Sequence, residues 1–421
     1  MGKIGLPLAV SFAKKGNKVT GLDINLDTIE KINSGNEPFP GEENLDSYLK
    51  EVINNNFLKA TFDVESAIKS ADVILVCIPL IIDSNNKADF RGIDLVVENI
   101  GKYMRKGVLI SIETTLPVGT TRNRFAKSIE IVSSLKVGQD FSMVFSPERV
   151  SSGRIFNDLR SYPKLVGGVT ESCTQKGIDF YKAVLDFDKR SDLPKPNGVW
   201  ALQNCESAEF TKIAETTYRD VNIGLANEFA LYAESRNIDF IEVIQAANSQ
   251  PYSHLHSPGI SVGGHCIPIY PNFYMQDNDQ SQIVQAARER NLSMPNLAVG
   301  KIKEKYPALS ALSIGIFGIA YRPGVKESAF SGALELLKIL KSEGARVYGF
   351  DPMYNKDEIE TFGFEYSTEF ANLDGIILHT AHKEFVNIKY KELVNLKFLF
   401  DGRNMYNEIF NSNIKFTYIT F

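Results

Sequence analysis

Short β-branched runs alternate with helical patterns over the first third of the chain. Apolar runs at 17–23, 71–78 and 108–113 predict strands, and amphipathic stretches at 26–34, 93–103 and 120–128 predict the helices between them. Such alternation implies a parallel sheet covered on both faces. The longest apolar run, 73–82, is flanked by Asp72 and Asp83 and is too short to span a bilayer, so it reads as a buried strand. After Asp188 a polar segment with Pro194 and Pro196 breaks the pattern. From 199 to 235 there is no proline and a single glycine, Gly224, which predicts one long helix of roughly 54 Å at 1.5 Å per residue. A second helix follows at 238–247. Strands at 312–319, 346–351, 375–379 and 398–401, with a helix at 331–343, form another doubly wound unit. The expected fold is therefore α/β: Rossmann-like doubly wound domains at 1–188 and 301–421, joined by a central long-helix domain at 189–300.

The N-terminal end carries a nucleotide signature. Gly2 and Gly5 precede an apolar helical run at 6–15, and the next strand ends in Asp23. An acidic residue at that distance hydrogen-bonds the adenosine ribose of NAD, and its charge disfavours the 2′-phosphate of NADP. Gly2 and Gly5 match the second and third glycines of the dinucleotide fingerprint, whose first glycine follows a strand. That innermost strand is absent from the sequence, which predicts an unfilled position between 17–23 and 71–78 and a need for about ten residues upstream of Met1.

Composition narrows the class. With 46 Lys+Arg against 51 Asp+Glu the net charge is -5, which lacks the basicity of a dedicated nucleic-acid binder. Cysteines at 77, 173, 205 and 266 are few and irregularly spaced, which fits a reducing cytoplasm and disfavours disulfides or a zinc cluster. The pairs His254/His256 and His379/His382 lack an accompanying acidic or thiol set, so no metal site is expected. The N-terminal residues lack the cleavage site of a signal peptide.

One cysteine stands apart. In Gly259-Ile-Ser-Val-Gly-Gly-His-Cys-Ile-Pro268, glycines permit a sharp turn and close approach to a ligand, while Pro268 stiffens the exit. Cys266 is thereby a candidate nucleophile. The segment resembles the catalytic-cysteine motif of the UDP-glucose/GDP-mannose dehydrogenase family, most closely its UDP-N-acetylhexosamine branch. Further motifs recur in the family's order: Glu113-Thr-Thr-Leu-Pro-Val-Gly-Thr-Thr121, Ser146-Pro-Glu-Arg-Val150, Glu209-Phe-Thr-Lys212, Tyr218-Arg-Asp-Val-Asn222, Gly318-Ile-Ala-Tyr-Arg-Pro-Gly-Val325 and Asp401-Gly-Arg-Asn404. The resemblance implies NAD-dependent oxidation of the C6 alcohol of a UDP-N-acetylhexosamine, UDP-ManNAc or UDP-GlcNAc, to the uronate through a thiohemiacetal and thioester on Cys266. It assigns catalysis to Cys266, Lys212, Glu148 and Thr115, with Thr115 also at the cofactor. Substrate contacts fall on Glu148, Lys212, Arg219, Asn222, Gly263, Gly264 and Arg403, and the partner expected is a second copy of the chain joined through the central helix. A lysine cation serving the cysteine favours thiolate and stabilises oxyanions, and Glu148 activates water, helped by Thr115.

Read without the resemblance, Glu209, Lys212, Thr216 and Arg219 share one helix face and form a salt-bridged surface. Thr120 or Thr121 would cap the helix that follows. The chain departs from the family at Thr216, usually Asn, at Tyr270, usually Asp, at Leu80-Ile81, usually Thr-Pro, and at Tyr252, often Arg. These positions bear on the substrate more than on the reaction class. A UDP-glucose 6-dehydrogenase and a catalytically weak nucleotide-sugar-binding protein are the alternatives.

Overall fold

A computed structural model describes residues 1–405 and 416–421, which fall into two compact units, Met1–Glu215 and Thr216–Phe421. In the first, β1 (Val19–Leu22) pairs in parallel with β2 (Leu58–Thr61) as a sheet of its own. The larger sheet has the order β3-β6-β7-β8-β9, formed by β3 (Val73–Val76), β6 (Leu109–Ile112), β7 (Ser142–Phe145), β8 (Lys164–Gly168) and β9 (Val199–Ala201). A hairpin of β4 (Ile81–Ile82) and β5 (Ala88–Asp89) lies outside it. Among the described residues no ladder joins β1 to β3. The core packs Leu8 and Phe12 of the first helix, Gly5–Lys14, against Val144, Val166 and Tyr181. Apolar burial of this kind contributes roughly 25 cal/mol per Å².

Two local expectations are corrected. The sheet is not wholly parallel, because β8 runs antiparallel to β7. The long helix spans Cys205–Ser235 and does not begin at 199. Val199 and Trp200, β-branched and aromatic, extend the sheet as β9, with Val199 beside Lys164 and Trp200 beside Leu165. The helix then starts where Asn204 accepts from the Ser207 amide at 2.9 Å.

The second unit holds a continuous parallel sheet in the order β11-β10-β12-β13-β14. Its strands are β10 (Ser313–Phe317), β11 (Arg346–Phe350), β12 (Gly375–Leu378), β13 (Phe398–Asp401) and β14 (Thr417–Thr420). β10 is interior, and Ile314 and Ile316 are fully buried on it, as a strand covered on both faces requires. Helices Gly332–Ser342 and Gln282–Lys305 pack together over this sheet. The second contains Pro295, a residue that reads in sequence as a helix breaker. No helix among the described residues is long and apolar enough to cross a membrane.

Candidate active site

In the first unit the chemistry gathers at the carboxyl ends of β6 and β7, where open α/β sheets bind ligands. β6 runs into Glu113, Thr114 and Thr115, all buried. Thr114 donates to the Ile78 carbonyl at 2.6 Å, which fixes the turn that presents Thr115. β7 runs into Ser146, Pro147 and Glu148, with the Ser146 hydroxyl donating to the Leu165 carbonyl at 2.7 Å. The Glu148 Oε1 accepts from the amides of Arg149 at 2.6 Å and Val150 at 3.2 Å, and its Oε2 accepts from Lys164 Nζ at 3.0 Å. Burial opposes ionisation of Glu148, but the Lys164 charge and the Arg149 amide outweigh it, and the carboxyl titrates below its usual range. Lys164 also meets Glu113 Oε2 at 2.6 Å, and Tyr181 donates to the other Glu113 oxygen. Sequence reasoning gave no role to Lys164 or Tyr181 and treated Glu113 only as part of a motif. The one signal was a lysine heading the apolar run Leu165-Val-Gly-Gly168.

Glu209 and Lys212 are buried, as is Thr216, while Arg219 is exposed. The salt-bridged surface is therefore corrected for the first three. Glu209 takes the capping role expected of Thr120 or Thr121. Its carboxylate accepts from the Gly119 amide at 2.5 Å, the Thr121 amide at 2.8 Å and the Thr121 hydroxyl at 2.6 Å, whereas Thr120 turns its hydroxyl back to the Pro117 carbonyl. The helix this turn starts runs as a π-helix, Thr121–Ala126, before the α-helix Lys127–Ser133. At the nucleotide end, Gly5 opens the helix Gly5–Lys14 with no side-chain cap. A Cβ there would stand 3.7 Å from that of Cys77, and one on Gly2 would meet nothing within 4 Å. Asp23 follows β1, accepting from the Asn25 amide at 2.8 Å and pairing with the Met1 amino group at 2.8 Å.

In the second unit the segment leading to Cys266 lies across the carboxyl ends of the parallel sheet. Gly259 donates its amide to Asn227 Oδ1 at 2.9 Å, and a Cβ on it would approach the Arg403 guanidinium to 2.7 Å, so a larger residue there would displace that side chain. Arg403 in turn donates to the His379 carbonyl at 2.7 Å. Ser261 pairs with His379 Nε2 at 2.9 Å, and burial followed by the Arg403 charge pushes that imidazole down to about 3, so it is neutral. Gly263 and Gly264 pack on Tyr321, where a Cβ would come within 2.5 Å of the Tyr321 Cβ and 3.0 Å of its ring, and Gly264 adopts φ +91°. His265 pairs with Glu327, and the Cys266 carbonyl accepts from the Tyr270 amide at 2.9 Å. Cys266 is the exposed one of the four cysteines. Burial pushes the thiols of Cys77 and Cys205 well up, which makes them poor thiolates. Asn222 holds the 254–256 segment, donating to the His254 carbonyl at 2.9 Å and accepting from the His256 amide at 3.0 Å. His382 lies beside Asp351 at 3.3 Å, and no cluster of metal-ligating side chains occurs among the described residues.

A glycine-led helix before Asp23, with carboxylates gathered at the end of the neighbouring sheet, suits a dinucleotide-dependent enzyme. The NAD-binding, central and UDP-binding domain models of the UDP-glucose/GDP-mannose dehydrogenase family match residues 1–185, 206–293 and 315–408. The chain belongs to this family. It is an NAD-dependent nucleotide-sugar dehydrogenase, with a UDP-sugar as substrate.

Among curated relatives it is similar to UDP-N-acetyl-D-mannosamine dehydrogenase of Pyrococcus horikoshii, with 33% identity over 97% of this chain and 95% of that one. The Campylobacter jejuni enzyme of the same name is 31% identical over 94% and 97% of the two chains. A solved structure of the P. horikoshii UDP-D-ManNAc dehydrogenase matches with TM-score 0.88 at 31% identity, over 100% of this chain and 97% of that one. A UDP-glucose dehydrogenase from Pyrobaculum islandicum gives 0.87 at 24% identity, over 99% and 95%, and speaks to the fold alone.

The residues at the nucleotide end fit NAD. No side chain caps the helix that opens at Gly5, and a Cβ on Gly2 would meet nothing within 4 Å, which leaves room for a pyrophosphate at the helix start, while the Asp23 carboxylate offers acceptors for a ribose diol.

Proposed function

We propose that this enzyme oxidises the C6 alcohol of a UDP-N-acetylhexosamine, UDP-ManNAc ahead of UDP-GlcNAc, by four electrons to the uronate, with Cys266 as nucleophile. The observation that carries this reading is an exposed thiol on a glycine-shaped loop anchored at Gly259, Ser261, Gly264 and His265. The names of the relatives support the choice of sugar. NAD, when bound, supplies the hydride acceptor for each of the two oxidations. In the first, the alcohol loses a proton and a hydride to give the aldehyde. The Cys266 thiolate then adds to the aldehyde carbon, and loss of a second hydride from the thiohemiacetal leaves a thioester. Glu148 takes a proton from water, which attacks the thioester and releases the uronate and the thiolate. Lys212 and Thr115 stabilise charge on the reacting oxygen, and Arg219, Asn222, Gly263, Gly264 and Arg403 serve the UDP-sugar. The division at 1–188, 189–300 and 301–421 is the working domain scheme for this reading.

The test combines a substrate panel with one variant. Two NADH per sugar are expected with UDP-ManNAc, and Cys266→Ser should form no uronate, because a serine hydroxyl captures the aldehyde poorly and cannot form a thioester. Uronate production by Cys266→Ser at the unmodified rate sinks the covalent route, and a preference for UDP-glucose sinks the choice of sugar. The exposed stripe Tyr218, Leu225, Phe229 and Tyr232 along the long helix supports a homodimer through that helix. Sedimentation should show a dimer or larger, and a fully active monomer at micromolar concentration refutes it.

A further inference from the structure

β6 and β7 run parallel and deliver Glu113 and Glu148 to one end of the sheet. β8 reverses direction, and its pairing sets Val144 beside Gly168 and Phe145 beside Gly167. Carried on past Phe145, that register puts Glu148 opposite Lys164, the first residue of β8. The strand reversal thus brings a lysine from the start of one strand to the carboxylates at the ends of two others. A third parallel strand would have placed it at the far edge of the sheet.

The cluster is graded in burial. Side-chain exposure is 1% for Glu113, 5% for Lys164 and 11% for Glu148. Glu113 is held by the Tyr181 hydroxyl, which is itself 2.7 Å from Ser111 Oγ. Burial pushes the Glu113 carboxyl above its usual range, whereas at Glu148, the end that reaches outward, the Lys164 charge and the Arg149 amide outweigh burial. A purely structural ion pair needs one carboxylate, and an apolar pair of similar volume stabilises a core at least as well.

We propose that Lys164 is a positioning residue of the reaction: gripped by Glu113, it holds the Glu148 carboxylate ionised and fixed for proton transfer at the end of the sheet. This rests on the reading of Glu148 as the group that activates water. The charged and titratable groups around Glu148 are Lys164 on β8, Glu113 after β6 with Tyr181 behind it, Lys212 on the long helix and Cys77 after β3. The neighbouring Arg149 side chain is turned away to Glu215 at 2.6 Å.

The experiment is the pH dependence of kcat/KM for Lys164→Met, Lys164→Arg, Glu113→Gln and Glu148→Gln beside the unmodified enzyme. Activity needs the carboxylate, so it is present above the Glu148 pKa and lost as pH falls through it. Removing the lysine charge should move that acid limb upward by about one unit or more, with kcat falling further than KM rises, and Lys164→Arg should restore it. Glu113→Gln should move the limb the opposite way, because Lys164 then serves Glu148 alone. Should Lys164→Met fail to fold, the downward shift in Glu113→Gln and a near-normal limb in Lys164→Arg still decide the matter. Opposed shifts support the role, and an unmoved acid limb in folded Lys164→Met or Glu113→Gln overturns it. Glu148→Gln separates the two levels: if it still forms uronate at the unmodified rate, the assignment of Glu148 itself is wrong. If it is inactive while the limbs stay put, Glu148 stands and Lys164 does not.

Discussion

In the first unit a lysine stands between two carboxylates, and one of those carboxylates, Glu148, keeps a partly exposed side chain. In the second unit an arginine and an asparagine amide both donate to one oxygen of a single buried carboxylate. Arg288 donates to Asp220 Oδ1 at 2.6 Å, and Asn291 donates to the same oxygen at 2.8 Å and to the Asp220 carbonyl at 2.9 Å. Asn227 then donates to Asn291 at 2.9 Å and accepts from the Gly259 amide. The other Asp220 oxygen is buried without a hydrogen-bond partner, the group is sealed in the core, and its far end is the backbone that leads to Cys266. The comparison separates a cluster whose ionised end, Glu148, faces outward and suits proton transfer from an ion pair sealed in the core that suits holding a loop in place.

The largest effect should come from breaking the sealed ion pair. Arg288 and Asp220 are 7% and 0% exposed, so Arg288→Leu strands a carboxylate in the core. Losing one partner of such a pair costs about 3–5 kcal/mol, which urea unfolding would register. Burial already disfavours ionised Asp220. The double change Arg288→Leu with Asp220→Leu removes the stranded charge and should recover much of the loss. If Arg288→Leu unfolds at the same urea concentration as the unmodified chain, the cluster is not the anchor described here.

The two clusters also differ in how far the sequence revealed them. Strand and helix periods gave both doubly wound units, and the Cys266 loop was legible because glycines and proline punctuate it. The start of the long helix was misread because Val199-Trp-Ala201 carries no breaker, and only pairing with β8 makes it a strand. Lys164 was invisible for a related reason. Its chemistry depends on β8 running against β7, and a lysine before an apolar run looks the same whichever way the strand points. Glu209 and Lys212 were placed on one helix face correctly, but spacing alone cannot say whether that face meets solvent or protein.

Glu209 extends the comparison to a carboxylate whose close donors are two backbone amides and one hydroxyl. Those donors favour the charged form, yet burial outranks them and pushes the carboxyl up to about 7 from an ordinary value of 4.5. The folded state therefore binds this proton more tightly than the unfolded chain does. The stability it contributes is fully present below about 4.5 and is lost as pH rises through about 7. Between pH 5 and 8 the unmodified protein should lose on the order of 2–3 kcal/mol that Glu209→Gln does not lose. The Gln variant still offers an acceptor to the Gly119–Thr121 turn, so it keeps part of the cap while removing the titration. Unfolding measured at both pH values on both proteins decides the point, since other titrating groups cancel in the difference. Equal slopes for the two proteins would mean that the donors win over burial, and that Glu209 is held as a carboxylate throughout, like Glu148 beside its lysine.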